Sequence, residues 1–499
     1  VPPHPLFAKL AALVARRRRA IAGVGIVLGL PVLAHLGVVA GTRIDPPAIT
    51  APGGEPEQHA GGLATLGKAY ARKRGAIHEV RLSGSPEAIG WQHARLLHRQ
   101  MVDDEAALYA EFERYVPLAP VRTLLMDISR VGYRHVDRNL SDAMRREVAA
   151  EALGFAPDPF ASVLPTYHRF VFLQSLYDIA LSFEHSPLLG CTSFVLGDGA
   201  AEGGHTLLAR NFDFEAGPIF DEQKTVFLVH EEGAIPYASV AWPGFVGAVT
   251  GMNAEGLALV VHGGRAREAT NVGEPVVHTA RALLAKARSV DEAVALLGER
   301  RPMVPHLLLL ADAHGDAAIA ERVPGEPLFV RRGRGKVPLT NHFEGPLEPD
   351  PKNQAVRART STVSRRARLD ELLANLPPGA SVERAVEILR DKRAVGGAEL
   401  ALGDRRAIDA LIATHGVVMD TTTRTLWVSE GPHLVGRFVR FDLWKLLDPR
   451  FTPGEGDGAA GLPEDPIRAS GAYAAWVAAG SPHTGEHGEP AARPKENAR

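Results

Sequence analysis

Apolar and polar residues alternate with a strand-like period over much of the chain that follows Cys191. Short β-prone runs occur at Cys191–Leu196, His205–Phe214, Thr225–His230, Tyr237–Trp242, Val246–Thr250 and Leu257–His262, with turns between them. Strands this closely spaced predict an antiparallel meander. A helical pair follows at Pro275–Ala287 and Ser289–Leu297, the second opened by Ser289-Val290-Asp291-Glu292. Strands resume at His306–Ala311, Ala317–Glu321 and Leu328–Val330, helical periods at Ser361–Leu376 and Ser381–Arg390, and a last hairpin at Gly416–Asp420 and Thr425–Ser429. Before Cys191 the period is helical, from Gly84 to about Val116 and again over Phe170–Phe183. Ser85 stands as N-cap of the first of these helices, with Pro86 at its first helical position. Strands, helices, strands, helices, strands predict an α+β fold of two packed sheets covered by helices.

The two ends follow other patterns. Arg16-Arg17-Arg18-Arg19 precedes an uncharged stretch from Ala20 to Thr42, ended by Arg43. About twenty apolar residues suffice to cross a bilayer core, and a basic cluster ahead of them holds that side in the cytoplasm. The expectation is therefore export. Residues 20–42 serve either as a membrane anchor, the favoured reading, or as a signal cleaved near Val38-Val39-Ala40, with Pro31 and His35 interrupting the stretch as a span. The chain then divides into residues 1–42 (basic N-terminus and membrane or signal segment), 43–75 (a Pro-, Gly- and Ala-rich linker), 76–190 (a mostly helical region), 191–450 (the β-rich domain) and 451–499. This last stretch reads as a disordered tail with a candidate helix near Ala472–Ala479.

Composition narrows the function classes. Hydrophobic residues make up 45% and charged residues 23%, and 56 basic against 58 acidic residues give a net charge of −2, so no excess of positive charge exists to neutralise a nucleic acid. One cysteine occurs in the whole chain, which excludes an internal disulfide and a multi-thiolate metal site. An exported chain without disulfides must draw its stability from a sizeable core. Walker A, HExxH and CxxC spacings are absent. His483 and His487 stand in a Gly- and Pro-rich tail, so neither a metal nor a cofactor is expected.

The lone cysteine carries the candidate chemistry. A cysteine at a newly made N-terminus has an α-amine with a pKa of about 7.7–8.0 and a thiol of about 8.5, so one residue supplies base and nucleophile near neutral pH. In the intact chain that amine is locked in the Gly190–Cys191 peptide. Releasing it requires cleavage there by attack of the thiol on the preceding carbonyl, which a glycine at position 190 accommodates. A cation is then needed beside the sulfur, for which Arg210 is the candidate, and a carboxylate to orient the amine, for which Asp213 is the candidate. Side chains alternate along a strand, so 210 and 213 share a face only if a bulge or strand end intervenes.

Several motifs occur in a fixed order: Gly190-Cys191-Thr192-Ser193, Arg210-Asn211-Phe212-Asp213, Gly251-Met252-Asn253-Ala254-Glu255-Gly256-Leu257, Leu339-Thr340-Asn341-His342 and Ser364-Arg365-Arg366-Ala367-Arg368-Leu369, with Gly84-Ser85-Pro86-Glu87-Ala88-Ile89-Gly90-Trp91-Gln92-His93 upstream. In these the chain resembles the N-terminal-nucleophile amidohydrolases, namely the penicillin acyltransferase-like C45 peptidases, choloylglycine (bile salt) hydrolases and acid ceramidase. The resemblance covers about residues 76 to 445. It implies a four-layer αββα sandwich, autocleavage between Gly190 and Cys191, and residues 76–190 retained as a small chain. It also implies Asn341 as an oxyanion donor and Arg365 as a distal supporting arginine. Asn253 reads as a turn residue. Where bile salt hydrolases carry a further asparagine, this chain has Gly263 after His262, which leaves the second oxyanion donor to a backbone N–H there or to His262, and argues against bile salts as substrate.

The reading is a self-processing amidohydrolase or acyltransferase acting on a small or lipid-like, non-peptide N-acyl amide. The alternative from another class is a catalytically silent, envelope-tethered binding protein of the same fold. The retention of Cys191, Arg210, Asp213 and Asn341 together weighs against that alternative.

Overall fold

The computed structural model describes residues 29–182, 189–215, 217–454 and 460–484. They fall into two compact units, one of residues 29–45 with 112–135, the other of residues 46–111 with the described residues from 136 onward.

The larger unit is built on two sheets. The first runs in the order β1-β2-β3-β4-β7-β8-β9-β10-β11-β12-β13. Its strands are β1 (Glu57–Gln58), β2 (Ala64–Leu66), β3 (Ala69–Arg74), β4 (Ile77–Gly84), β7 (Thr225–Glu231), β8 (Tyr237–Ala241), β9 (Thr250–Asn253), β10 (Ala258–Gly263), β11 (His306–Ala311), β12 (Ala317–Arg322) and β13 (Phe329–Gly333). The second runs β14-β5-β6-β15-β16-β17-β18. It consists of β5 (Leu189–Leu196), β6 (Leu207–Phe214), β14 (Lys336–Leu339), β15 (Ala413–Asp420), β16 (Thr425–Ser429), β17 (Phe438–Asp442) and β18 (Gly461–Leu462). All pairings are antiparallel except β4 with β7, whose parallel register from His78↔Thr225 to Gly84↔Glu231 needs the long crossover that the intervening chain supplies.

The main core lies between the sheets, where Val226, Leu228, Val260 and Leu309 of the first meet Val195, Leu208, Val417 and Met419 of the second. A second core, with Phe194, Ala209 and Val418, packs the outer face of the smaller sheet against the helices Thr362–Ala374 and Val382–Leu389. The helices Val276–Lys286 and Val290–Gly298 cover the larger sheet, so the four αββα layers expected from the sequence are present.

Three expectations are corrected. Residues 57–74, read as linker, form β1 to β3, and the region from 76 opens on β4 before turning helical at Pro86–Tyr115. The polar residues that obscured β3 and β4 are buried in a network of their own: Glu79 takes hydrogen bonds from Tyr70, Arg72 and Arg74. The meander is split between sheets, because β5 and β6 belong to one and β7 to β13 to the other. The last hairpin does not close the fold, since β17 and β18 extend its sheet, and Trp476 in the helix Ala472–Ala478 is buried against Leu411 and Val435, so part of the expected tail is packed. At the start of the long helix the Ser85 Oγ accepts from the Ala88 N–H at 3.3 Å, as an N-cap should.

In the smaller unit, residues 29–41 are helical and sit with the helix Ala119–Gly132, tied by His35 Nδ1 to Asp127 at 2.8 Å and by Arg130 Nε to Thr42 Oγ1 at 3.3 Å. Among the described residues no helix is long and apolar enough to cross a membrane, and Arg16 to Arg19 with the first part of the 20–42 segment lie outside the described residues.

Candidate active site

The register of β5 on β6 sets the site. Gly190 stands opposite Asp213, Cys191 opposite Phe212 and Ser193 opposite Arg210. Residues 191, 193 and 195 therefore face the space between the sheets, as do Leu208, Arg210 and Phe212 on the partner strand, while Asn211 and Asp213 face the helices. The pairing of β5 with β6 runs without a bulge. The irregularity is on the far side, in β15 between Ala413 and His415. Arg210 and Asp213 thus do not share a face, and each serves a different end of Cys191.

Arg210 serves the sulfur. Fully buried, it donates through Nη2 to Cys191 Sγ at 3.2 Å and to Val261 O at 2.7 Å, and through Nη1 to Val249 O at 2.6 Å and to the Thr250 hydroxyl. Its guanidinium also stacks over Phe212 at 4.3 Å. None of these partners carries a full negative charge while the thiol is protonated. Burial pushes the Cys191 thiol up, and Arg210 opposes that shift.

Asp213 serves the backbone. A Cβ placed on Gly190 would stand 3.0 Å from Asp213 Oδ2, so the carboxyl lies against the backbone just before Cys191, in a gap that glycine leaves open. Burial raises Asp213 to about 7, with Arg365 pulling the other way.

Two further side chains clasp the Cys191 backbone. β14 pairs with β5 as far as Leu339↔Ser193, so the chain two residues on reaches Cys191, where Asn341 Oδ1 accepts from the Cys191 N–H at 2.8 Å. Asn341 Nδ2 donates to Gly263 O at 3.0 Å. Arg365, from the helix Thr362–Ala374, donates to Cys191 O at 2.5 Å, Thr192 Oγ1 at 2.9 Å and Asn341 Oδ1 at 3.0 Å. Its neighbours point elsewhere, Arg366 to Glu344 and Asp370, Arg368 to Asp391 and Glu371.

Gly190, Cys191, Arg210, Asp213, Asn341 and Arg365 therefore come together. Gly263 joins them through its carbonyl, as an acceptor. His262 engages Ser193 Oγ at 2.6 Å through Nε2, and burial beside Arg210 holds its pKa well below the ordinary value, so it is a neutral imidazole one step along the strand from the thiol. Asn253 is a structural residue. It caps the β9–β10 turn by donating to Leu284 O and Ala287 O and accepting from Glu255 N and Leu257 N. Sequence reasoning missed Thr250, whose hydroxyl links Arg210 to His415, and His415 itself, stacked on Phe212 at 5.1 Å. Neither residue type carried a signal, because the contacts are between sheets.

A cavity opens beside this cluster, walled by Phe170, Tyr177, Phe212, Phe214, Trp242 and Val249 among others. Phe212 is the β6 residue paired with Cys191, and the Val249 carbonyl holds Arg210, so the thiol's own neighbours form part of the wall. An apolar cleft beside a nucleophile admits an apolar arm of a ligand. Among the described residues no group of three or more His, Cys, Asp or Glu is placed to hold a metal ion.

Residues 200–398 match the family model described as acyl-coenzyme A:6-aminopenicillanic acid acyl-transferase. An uncharacterized protein of Archaeoglobus fulgidus is 24% identical over 249 residues, 47% of this chain and 41% of that protein, so the match spans less than half of the relative. Similar solved structures include an N-acylethanolamine-hydrolyzing acid amidase ortholog of Caenorhabditis elegans, with TM-score 0.34 and 16% identity over 46% of this chain and 93% of that one. Penicillin V acylase of Agrobacterium tumefaciens gives TM-score 0.33 and 19% identity over 55% and 98%. A mutant conjugated bile acid hydrolase of Clostridium perfringens gives TM-score 0.33 and 13% identity over 54% and 100%. Over residues 200–398, less than half of its length, this chain is therefore similar to the acyl-coenzyme A:6-aminopenicillanic acid acyl-transferase family, the likeness that the order of its motifs also shows.

Proposed function

We propose that this chain is a self-processing N-terminal cysteine amidohydrolase or acyltransferase that takes the acyl group from a non-peptide N-acyl amide. The observation that carries the reading is the division of labour around one residue: the Cys191 sulfur lies 3.2 Å from Arg210, while its N–H and C=O are held by Asn341 and Arg365.

Processing begins with Cys191 Sγ adding to the Gly190 carbonyl. The Gly190–Cys191 C–N bond breaks as a thioester forms, and the nitrogen leaves as the α-amine of Cys191. Water then opens the thioester to a Gly190 carboxylate and regenerates the thiol. Asp213, against Gly190, is placed to hold the new amine, which becomes the base for Cys191. In turnover the thiolate adds to the substrate carbonyl, the amine of the substrate departs with a proton from the α-ammonium, and water or a second amine resolves the acyl-enzyme. The candidate donor to the developing oxyanion is Asn341 Nδ2, which turns to it from Gly263 O, and one such donor contributes about 10²–10³-fold in rate.

Two features support the proposals about the rest of the chain. β4, upstream of the cut, is embedded between β3 and β7, which favours a small chain that stays bound after cleavage. Exposed Leu30, Leu33 and Leu36 in the 29–41 helix, and Leu124 and Ile128 in the helix beside it, suit an exported protein held at a membrane by its N-terminal segment.

The test is N-terminal sequencing of purified protein. The larger of two products begins Cys-Thr-Ser-Phe, and Cys191→Ala remains a single inactive chain. A fully active chain with the Gly190–Cys191 bond intact refutes self-processing. Release of free amine from a panel of N-acyl amides, with and without acceptor amines, separates hydrolase from transferase.

A further inference from the structure

The cavity beside Cys191 contains an acid that the chemistry above does not use. Asp104, on the helix Pro86–Tyr115, is only 4% exposed and lines the cavity, and neither of its carboxyl oxygens has a hydrogen-bond partner among the described residues. Its neighbour Glu105 lines the same cavity but is paired with Arg169. A buried polar group without a partner is rare in a native fold and costs free energy, the more so when it ionises. Here burial pushes Asp104 up to about 8.

The other residues of the same wall indicate the missing partner. Phe214, Phe220, Trp242 and Phe245 form one ring cluster in the wall, with centroids 5.4 Å apart for Phe214–Phe220, 5.8 Å for Phe220–Trp242 and 6.1 Å for Trp242–Phe245. Aromatic faces carry negative charge density and attract organic cations, and a carboxylate among such faces is the complement of an ammonium group. A cavity meant for a plain hydrocarbon arm gains nothing from an acid in its wall. One cation is already at the thiol end, Arg210 over Phe212, and the unneutralised acid is elsewhere in the same wall.

We propose that the acyl arm entering this cavity ends in a basic nitrogen, which Asp104 receives as counter-ion while the rings pack around the alkyl stem. The proposal rests on the amidase reading above and names the substrate class for that site. Asp104 is then a specificity residue, distant from bond making.

The test compares 6-aminohexanoyl and heptanoyl amides of one chromogenic amine, nearly isosteric arms that differ in charge, on the processed chain near pH 8.5, where the arm's amine is charged and Asp104 has released its proton. The expected result is a preference of tenfold or more in kcat/KM for the amino arm, carried by KM, and the loss of that preference in Asp104→Asn. A second measurement needs no turnover: calorimetric binding of hexylammonium against hexanol to the whole Cys191→Ala chain and to its Asp104→Asn double variant. Tenfold tighter binding of the ammonium that disappears with Asp104→Asn supports the proposal, even if neither amide is turned over, in which case the amidase reading fails alone. A preference for the heptanoyl arm, equal binding of the two probes, or an unchanged ratio in Asp104→Asn overturns it.

Discussion

Replacing Arg210 with glutamine removes the cation 3.2 Å from the only sulfur nucleophile and keeps a planar hydrogen-bonding side chain in its place. Unit charges about 4 Å apart at an effective dielectric near 20 attract by about 4 kcal/mol. A hydrogen bond to a charged group contributes about 1.5–3 kcal/mol net. The lower figure governs here, because the same guanidinium also donates to the carbonyls of Val249 and Val261 and to Thr250. At about 1.4 kcal/mol per pK unit, the thiol of Arg210→Gln titrates about one to two units higher, leaving ten- to a hundredfold less thiolate near neutral pH. Arg210→Lys keeps the charge but loses the fork that reaches four partners, and shifts the thiol by less than one unit. The assay is the rate of alkylation by iodoacetamide against pH on the processed chain, where a single cysteine makes the signal unambiguous, with thermal unfolding in parallel. An apparent thiol pKa within about 0.3 unit of the parent, in an Arg210→Gln protein that unfolds at the parent's temperature, refutes the assigned role; the 0.3-unit bound is about 0.4 kcal/mol.

Two other outcomes follow from the same geometry. Gly190→Ala places a Cβ 3.0 Å from Asp213 Oδ2, so precursor accumulates on a denaturing gel and processing slows; cleavage at the parent's rate contradicts the close approach. Stability falls as pH rises from about 6.5 to 8, because Asp104 and Asp178, held at about 8 by burial, keep protons that the unfolded chain has already released. Each contributes a loss of about 2 kcal/mol over that window. Between about pH 4 and 6.5 the buried histidines act in the opposite direction: His93, His278 and His306, held at about 3, stay neutral while the unfolded chain takes up protons, which flattens the slope. Unfolding temperatures measured over this pH series check the sign, and a midpoint that climbs from pH 6.5 to 8 contradicts it.

The sequence alone located many of the strands after Cys191 along the chain, with β11 and β16 at the predicted bounds, because half-buried strands and amphipathic helices write their period into neighbouring residues, but not their division between two sheets. It also singled out Cys191, Arg210 and Asp213 by the chemistry an N-terminal thiol needs, while Asn341 and Arg365 came from the resemblance to the N-terminal-nucleophile amidohydrolases. It did not reveal the short β1 and β2, nor β3 and β4, whose buried charges satisfy one another across strands and so break the apolar pattern. Nor could it assign faces. Only the pairing of β5 with β6 put Arg210 on the sulfur and Asp213 on the backbone, and only the packing of Thr362–Ala374 chose Arg365 over Arg366 and Arg368. The cavity draws its wall from the long helix, from β6 and from the segment after β8, residues more than a hundred positions apart. Asp104 reads in sequence as one charge in the acidic run Asp103-Asp104-Glu105. The tertiary structure alone shows that one of these acids is buried without a partner, because burial is set by which surfaces meet and not by any residue's neighbours in the chain.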